Sequence, residues 1–278
     1  MSQSAVAPRR PLRAWRAPVR THDDPAATTA RADRGRDPGR PGQAPGSAQA
    51  AAIVAVHAIS ARFRLVTLRA DAFRCVDPRP GDSLRLRVRP GVWRTFSACR
   101  LGDRADAVSV VVYLHGGATP AASWATAIRP GDPCSVRTLE PTHRICAASD
   151  PTVAFGDETS IGLIATLCDA SAARGALEPI VEVDEPADAR RALANLARRG
   201  YPLPADARLL QRLPGAAHLV EAETVLACHA RSGRPARYLL SGGAGTVLRL
   251  SRALGAQGIR AEHCVPRVHW APHRRGLD

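Results

Sequence analysis

The apolar pattern of this chain changes character once, near Pro151, and that change limits the fold more than any other feature. Ahead of it come short β-type runs at 53–57, 63–68, 84–88, 93–98 and 108–115. The run Leu84-Arg85-Leu86-Arg87-Val88 alternates apolar with charged residues, the pattern of a strand with one face buried. Turn-forming residues at Asp77-Pro78, Pro80-Gly81-Asp82 and Pro90-Gly91 separate the runs. Short strands so spaced, with no long helix between them, predict a small antiparallel β-barrel reaching about residue 146. Beyond Pro151, strands at 153–155, 180–183, 207–211 and 236–240 alternate with helices, the first ending near Ala173 and the others at 187–199, 218–230 and 246–256. That alternation predicts a parallel sheet covered on both faces. The expected fold class is therefore β + α/β: an N-terminal antiparallel β-barrel over 51–148, then a parallel-sheet α/β nucleotide-binding domain over 149–278.

Residues 1–50 are Arg, Pro, Ala, Gly and Asp with almost no large apolar side chains. Such a stretch cannot bury enough surface to offset its ordering entropy, and it reads as a disordered tail. The whole chain of 278 residues carries a formal charge of +14, and each of its 39 basic residues is Arg rather than Lys. With abundant Ala, Pro and Gly, this looks like compositional bias more than a selected phosphate-binding surface. RNA-recognition sequences, zinc-finger spacing and aromatic interleaving are all missing, so nucleic acid is not expected as a partner. Seven cysteines, at 75, 99, 134, 146, 168, 228 and 264, are scattered without a C-x-x-C pair. That argues against a disulfide framework and against zinc or iron–sulfur ligation, and no metal site is expected. A reducing cytoplasm is the expected setting. No run reaches the ~20 apolar residues of a membrane span, and Arg9-Arg10 is not followed by the apolar core of an export signal.

Several stretches carry chemistry. In Trp93-Arg94-Thr95-Phe96-Ser97, strand period two puts Arg94 and Phe96 on one face and Thr95 and Ser97 on the other. A cation, a ring and a small hydroxyl suit a planar, negatively charged ligand. His115-Gly116-Gly117-Ala118-Thr119-Pro120 leaves a strand and enters a short helix at 121–125, where free N–H groups favour an anion. Gly156-Asp157-Glu158-Thr159-Ser160 lies between strand and helix, where open parallel sheets bind ligands, with Thr159 as the expected N-cap. Glu182 and Asp184, at the next strand end, suit the hydroxyls of a ribose. Ser241-Gly242-Gly243-Ala244-Gly245 is a third glycine-rich turn. Three such turns at separate strand ends point to a dinucleotide crevice.

A competing reading starts from Val111-Val112-Tyr113-Leu114-His115-Gly116-Gly117, which looks like the oxyanion-hole strand of α/β-hydrolase esterases. That chemistry needs a serine on a G-x-S-x-G elbow. None occurs: Ser160 has Glu158 two places before it, and Ser241 has Leu239.

Taken in order, the stretches resemble the siderophore-interacting proteins, flavin-dependent ferric-siderophore reductases of the ferredoxin-reductase superfamily. Arg94 to Ser97 is similar to that family's Arg-x-Tyr-Thr motif, and His115 through Trp124-Ala125 to its His-Gly…Gly-Pro-Ala-Ser…Trp-Ala segment. Gly156 to Ile161 matches its Gly-Asp-Glu-Thr-Ala-Leu turn, and Ser241-Gly242-Gly243 stands where the family has Ala-Gly-Glu. Glu182-Val183-Asp184 falls where the family has a Val-Glu-Val strand end. His269-Trp270…Arg274-Arg275-Gly276 is similar to the closing Tyr-Trp-Arg-Arg-Gly. Cys99 stands near the family's second arginine, with Arg100 one place later, and Gly162 replaces a proline. The resemblance implies FAD in the barrel, NAD(P)H or a ferredoxin as electron donor, and a ferric siderophore as acceptor. It implies that Arg94 holds phosphate, that Phe96 packs on the flavin ring, and that Ser97 is the catalytic group near N5, with Thr95 beside them. It implies that the N–H groups around Pro120, Ala121, Ala122 and Ser123 receive the pyrophosphate, with His115, Gly116 and Thr119 also in the cofactor-binding set. Gly156, Asp157, Glu158, Thr159, Ser160, Glu182, Asp184, Ser241, Gly242, Gly243 and Trp270 complete the cofactor-binding set. A flavin reductase with another acceptor, and a non-catalytic flavin or siderophore binder, stay open beside this reading.

Overall fold

The computed structural model describes residues 48–75, 81–99, 104–117, 119–140, 152–171, 177–201, 207–232 and 237–272. The expected tail up to residue 47, the junction at 148/149, Arg100, Ala118 and Arg274-Arg275-Gly276 lie outside these. Ala48, Gln49 and Ala50, assigned to the tail from sequence, instead open the first strand.

Six strands make an antiparallel sheet: β1 (Ala48–Ala58), β2 (Phe63–Arg69), β3 (Ser83–Arg89), β4 (Val92–Ser97), β5 (Ala107–Tyr113) and β6 (Pro133–Glu140), in the order β4-β3-β6-β1-β2-β5. A bridge between Cys99 and Ser109 joins the end of β4 to β5 and nearly closes the barrel. The alternation read from β3 is realised: Leu84, Leu86 and Val88 are buried with Ile53, Val66, Leu68, Val108, Val110, Val112 and Val136, while Arg87 and Arg89 are exposed. Helix α1 (Pro120–Ala127) plugs the barrel, burying Ala122 and Ala125, with Trp124 packed against the same core.

The second half is a parallel sheet of β7 (Thr152–Gly156), β8 (Leu177–Val183), β9 (Arg208–Gln211), β10 (Arg237–Gly243) and β11 (Cys264–Trp270), in the order β11-β10-β7-β8-β9. The chain moves from β7 outward to β9, then returns to the other side of β7. This doubly wound topology leaves a crevice at the carboxyl ends of β7 and β10. Its helices are α2 (Ile161–Ser171), α3 (Pro186–Ala197), α4 (His218–Arg231) and α5 (Ala244–Ala256). Strand residues alternate between the two layers. Val153, Phe155, Ile180, Tyr238 and Leu240 pack with Leu219, Leu226, Val247, Leu250 and Leu254 of α4 and α5. Ala154, Val181, Val183 and Leu239 pack with residues of α2 and α3, and the same cluster takes in Phe63, Leu65, Val111 and Tyr113 from the outer face of the barrel. One apolar core thus runs through both halves.

Polar contacts reinforce that junction. Asp188, in the first turn of α3, accepts hydrogen bonds from Ser60 Oγ (2.8 Å), Ala61 N (2.9 Å) and Arg62 N (3.1 Å). Asn195 Nδ2 donates to the Ile59 carbonyl at 2.8 Å. Asp188→Ala removes an acceptor shared by three donors and is expected to cost about 1–3 kcal/mol. Urea unfolding checks this, with Asp188→Asn retaining part of the loss.

Candidate functional site

The barrel side of the site is built on β4. Its register with β3 pairs Arg94 with Leu86 and Phe96 with Leu84, the inward-facing residues, and pairs Thr95 with Arg85 and Ser97 with Ser83. Arg94 and Phe96 therefore share one face and Thr95 and Ser97 the other, as period two requires. The half-buried Phe96 ring lies 6.2 Å from that of Trp124, so α1 stands beneath the face that carries Arg94. Arg94 Nη1 donates to the Trp93 carbonyl at 2.7 Å, and among the described residues no carboxylate neutralises the guanidinium. Thr119 caps α1, its Oγ1 accepting from Ala122 N (3.3 Å) and its carbonyl from Ser123 N (2.9 Å). Pro120 has no N–H, and the Ala121 N–H is left without a partner among the described residues. His115 and Gly116 are exposed ahead of this helix, with the His115 ring edge-on to Tyr113 at 4.8 Å.

An unneutralised arginine on the face of β4 that looks onto α1, and an unused N–H in the first turn of that helix, are each donors suited to phosphate oxygens. A flat ring stands next to it. These residues fit FAD.

Cys99 lies on the face of the barrel turned toward α2. It is fully buried, and its Sγ donates to the Gly162 carbonyl at 3.4 Å. A Cβ on Gly162 would stand 3.4 Å from Val111 Cβ, ordinary van der Waals contact, so the packing of α2 on this face does not depend on the glycine. Burial pushes the Cys99 thiol up to about 12, more than a hydrogen bond with Tyr201 pulls it down. An inert thiol results. Under native alkylation, mass spectrometry is expected to show Cys228, which is exposed, labelled and Cys99 unmodified.

The crevice side is arranged differently from the sequence expectation. The N-cap after β7 is Asp157, not Thr159, because the chain enters a 3-10 turn (Glu158–Ser160) before α2 and the cap moves upstream. The Asp157 side chain is an acceptor for Thr159 N (2.9 Å), Thr159 Oγ1, Ser160 Oγ (3.3 Å) and Trp270 Nε1 (2.6 Å). His269 Nδ1 lies 3.1 Å from Thr159 Oγ1. Since the Thr159 hydroxyl donates to Asp157, His269 is the donor to Thr159. Ser241, expected in a turn, lies within β10 and donates to the Phe155 carbonyl at 3.0 Å. Gly242 and Gly243 close that strand, with Gly242 at φ +113°.

Glu158, Glu182 and Asp184 are gathered by a residue that the sequence reading missed. Arg212, directly after β9, reaches Glu158 Oε2 (2.9 Å), Glu182 Oε1 (3.6 Å) and Asp184 Oδ1. Glu158 Oε1 also accepts from Asp184 N at 2.6 Å, and Tyr113 Oη donates to Asp184 Oδ2 at 3.1 Å across the junction with the barrel. Glu182 sits under α4 with its Oε2 2.9 Å from His218 Nε2; His218 Nδ1 accepts from Leu213 N, so Nε2–H is the donor. Burial pushes the Glu158 carboxyl above its ordinary value, more than Arg212 pulls it down. Burial also pushes Asp184 up, but there the Arg212 hydrogen bond and charge prevail, with Tyr113 and Arg62 adding to them, and the carboxyl lies below its ordinary value. The structure therefore brings Glu158, Glu182 and Asp184 together as one ion-paired cluster, with the two glutamates buried in it. The only local signal for Arg212 is its place immediately after a parallel strand, level with Asp184.

A nearly closed antiparallel barrel followed by a doubly wound parallel sheet defines the ferredoxin-reductase-like fold. Solved structures share it. A siderophore utilization protein from T. fusca aligns at 18% identity with a TM-score of 0.65, covering 84% of this chain and 97% of its own. The siderophore-interacting protein SipS from Aeromonas hydrophila aligns at 17% identity and 0.62, covering 82% and 93%. A ferredoxin reductase of carbazole 1,9a-dioxygenase, in its FAD apo form, aligns at 17% and 0.63, covering 82% and 68%. Residues 82–143, a span that includes β3 to β6, match the family model of the siderophore-interacting FAD-binding domain. The resemblance read from Arg94 to Ser97 and from His115 to Ala125 falls inside that match. Among curated proteins, no sequence matches the chain.

Proposed function

We propose that the protein is an FAD-dependent oxidoreductase that reduces ferric siderophores, with NAD(P)H or a ferredoxin as the source of electrons. The observation that carries this reading is that Arg94 and Phe96 share the face of β4 that packs on Trp124 of α1, inside the segment matched by the siderophore-interacting FAD-binding domain. Bound FAD would supply the exchange between two-electron donors and one-electron acceptors. Arg94 offsets phosphate charge, and the Ala121 N–H gives it a fixed hydrogen bond. Phe96, braced by Trp124, offers a flat apolar surface. Ser97 projects to the opposite face of β4, on the side where Cys99 meets α2, which sets its hydroxyl toward the junction of the two halves. Arg87 and Arg89 are exposed on β3, and Arg137 lies 4.4 Å over the Trp93 ring. This positive surface favours an anionic chelate. Hard oxygen ligands hold Fe(III) better than Fe(II), so one electron delivered to the substrate loosens its metal.

We read the setting as cytoplasmic. Cys99, Cys134, Cys168, Cys228 and Cys264 are free thiols, and among the described residues no helix is long and apolar enough to cross a membrane.

The test is spectroscopic. The purified chain is expected to be yellow, or to become so on incubation with FAD. Under anaerobic conditions NADH, NADPH or a reduced ferredoxin bleaches it, and a ferric siderophore restores the colour. A colourless protein that cannot be loaded with FAD overturns the reading.

A further inference from the structure

In a doubly wound sheet the turn after the first strand presents its N–H groups to a ligand's pyrophosphate, and glycines at neighbouring strand ends let that ligand approach the backbone. Here both provisions are taken up by the chain itself. The Thr159 N–H and the Thr159 and Ser160 hydroxyls all donate to Asp157, which is 1% exposed. The remaining oxygen of that carboxylate holds the indole N–H of Trp270 at 2.6 Å. The glycine clearances are filled too. A Cβ on Gly242 would stand 2.5 Å from the Asp157 carboxylate, and one on Gly243 would stand 2.8 Å from the Trp270 ring. A Cβ on Gly156 would meet Ser160 Cβ at 2.5 Å. The close approach that glycine permits is therefore made by Asp157, Trp270 and Ser160. A pyrophosphate brought to this turn would meet a buried negative charge in place of free donors. While Trp270 is bound to Asp157, the end of β7 is closed to a nicotinamide dinucleotide.

We propose that the crevice between β7 and β10 is closed by an intramolecular latch, in which Asp157 occupies the place of a pyrophosphate and Trp270, bound to it, covers the β10 end. A dinucleotide gains the strand ends only when Trp270 leaves Asp157. The inference concerns the donor side of the reductase reading and rests on that reading for its relevance. Its test is independent of electron transfer. ADP-ribose, which carries the pyrophosphate and no redox group, is titrated calorimetrically into the full-length chain. Wild type is expected to show no binding up to about 1 mM, and an Asp157→Ser/Trp270→Ala double variant to bind at least about tenfold tighter. Serine keeps the N-cap acceptor without the charge. Trp270→Ala alone leaves the cap untouched and is expected to gain severalfold, which keeps the test decisive if the double variant does not fold. Micromolar binding by wild type, or no gain in either variant, overturns the latch. The flavin colour of the same preparations is read separately, so failure of the flavin reading shows as colourless protein whatever the titration gives.

Discussion

An Arg212→Met variant is expected to unfold about 3–5 kcal/mol more easily than wild type at neutral pH, the usual consequence of removing one partner from a buried ion-paired cluster. Glu158 and Glu182 keep only 4% and 3% of their side-chain surface exposed; Glu158 depends on this guanidinium, while Glu182 has it at 3.6 Å beside the closer His218. The sign of the pH dependence follows from two neighbours. Glu158 already sits above its ordinary value in the folded protein, so this group removes stability as pH rises past the unfolded carboxylate range. Removing Arg212 pushes it further up and deepens that loss. Asp184 is held below its ordinary value by Arg212, so it adds stability above the unfolded range, and the variant forfeits it. Both effects vanish as the carboxyls protonate. The gap between variant and wild type should therefore narrow as the solution is acidified from about pH 7 toward about pH 4. Guanidinium unfolding across that range measures it, and a gap that stays constant would assign the loss to packing.

Arg94→Ala is expected to weaken FAD binding about ten- to hundredfold, the value of a charge-assisted hydrogen bond to phosphate. Stability should change little, because the only bond that Arg94 makes among the described residues is to its neighbour's carbonyl. Arg87→Ala, on the opposite face of the sheet, is the matched control and should leave affinity unchanged. Fluorescence titration of the apoprotein reads both. Wild-type affinity in Arg94→Ala would remove β4 from the site.

The barrel and the parallel sheet were legible in the sequence wherever burial follows a local period. Leu84, Leu86 and Val88 announced β3 because its environment repeats every two residues, and Val153-Ala154-Phe155 announced β7 as a short continuous apolar run, since that strand is buried on both faces. Two strands were not foreseen. In β6, Val136 stands in the fully buried barrel core between the polar Ser135 and Arg137, and Pro133-Cys134-Ser135 ahead of it carries no apolar alternation. In β11, Pro266 argues against a strand. It is tolerated because β11 is an edge that pairs only with β10. The site shows the same division. Arg94 and Phe96 could be placed on one face from their spacing. The tertiary contacts of Asp157 with Trp270, Glu182 with His218 and Arg212 with Asp184 could not, because those partners lie 28 to 113 residues apart. A carboxylate at a strand end reads the same whether it awaits a ribose or an internal arginine. The N-cap moved for a related reason: Thr159 has the right side chain, but the chain tightens into a 3-10 turn before it.

The apolar core that passes from Val111 and Tyr113 of the barrel into α2 and α3 bears on how such a protein can be rearranged. With Asp188 and Asn195 pinning the β1–β2 loop, and Arg267 Nη1 donating to the Gly81 carbonyl at 2.7 Å, the two halves are not interchangeable modules. A barrel produced alone would present Phe63, Leu65 and Val111 to water, and a parallel sheet grafted from a relative would have to reproduce the same knobs and hollows. Recombination between relatives should succeed only at breakpoints that carry both sides of this seam together.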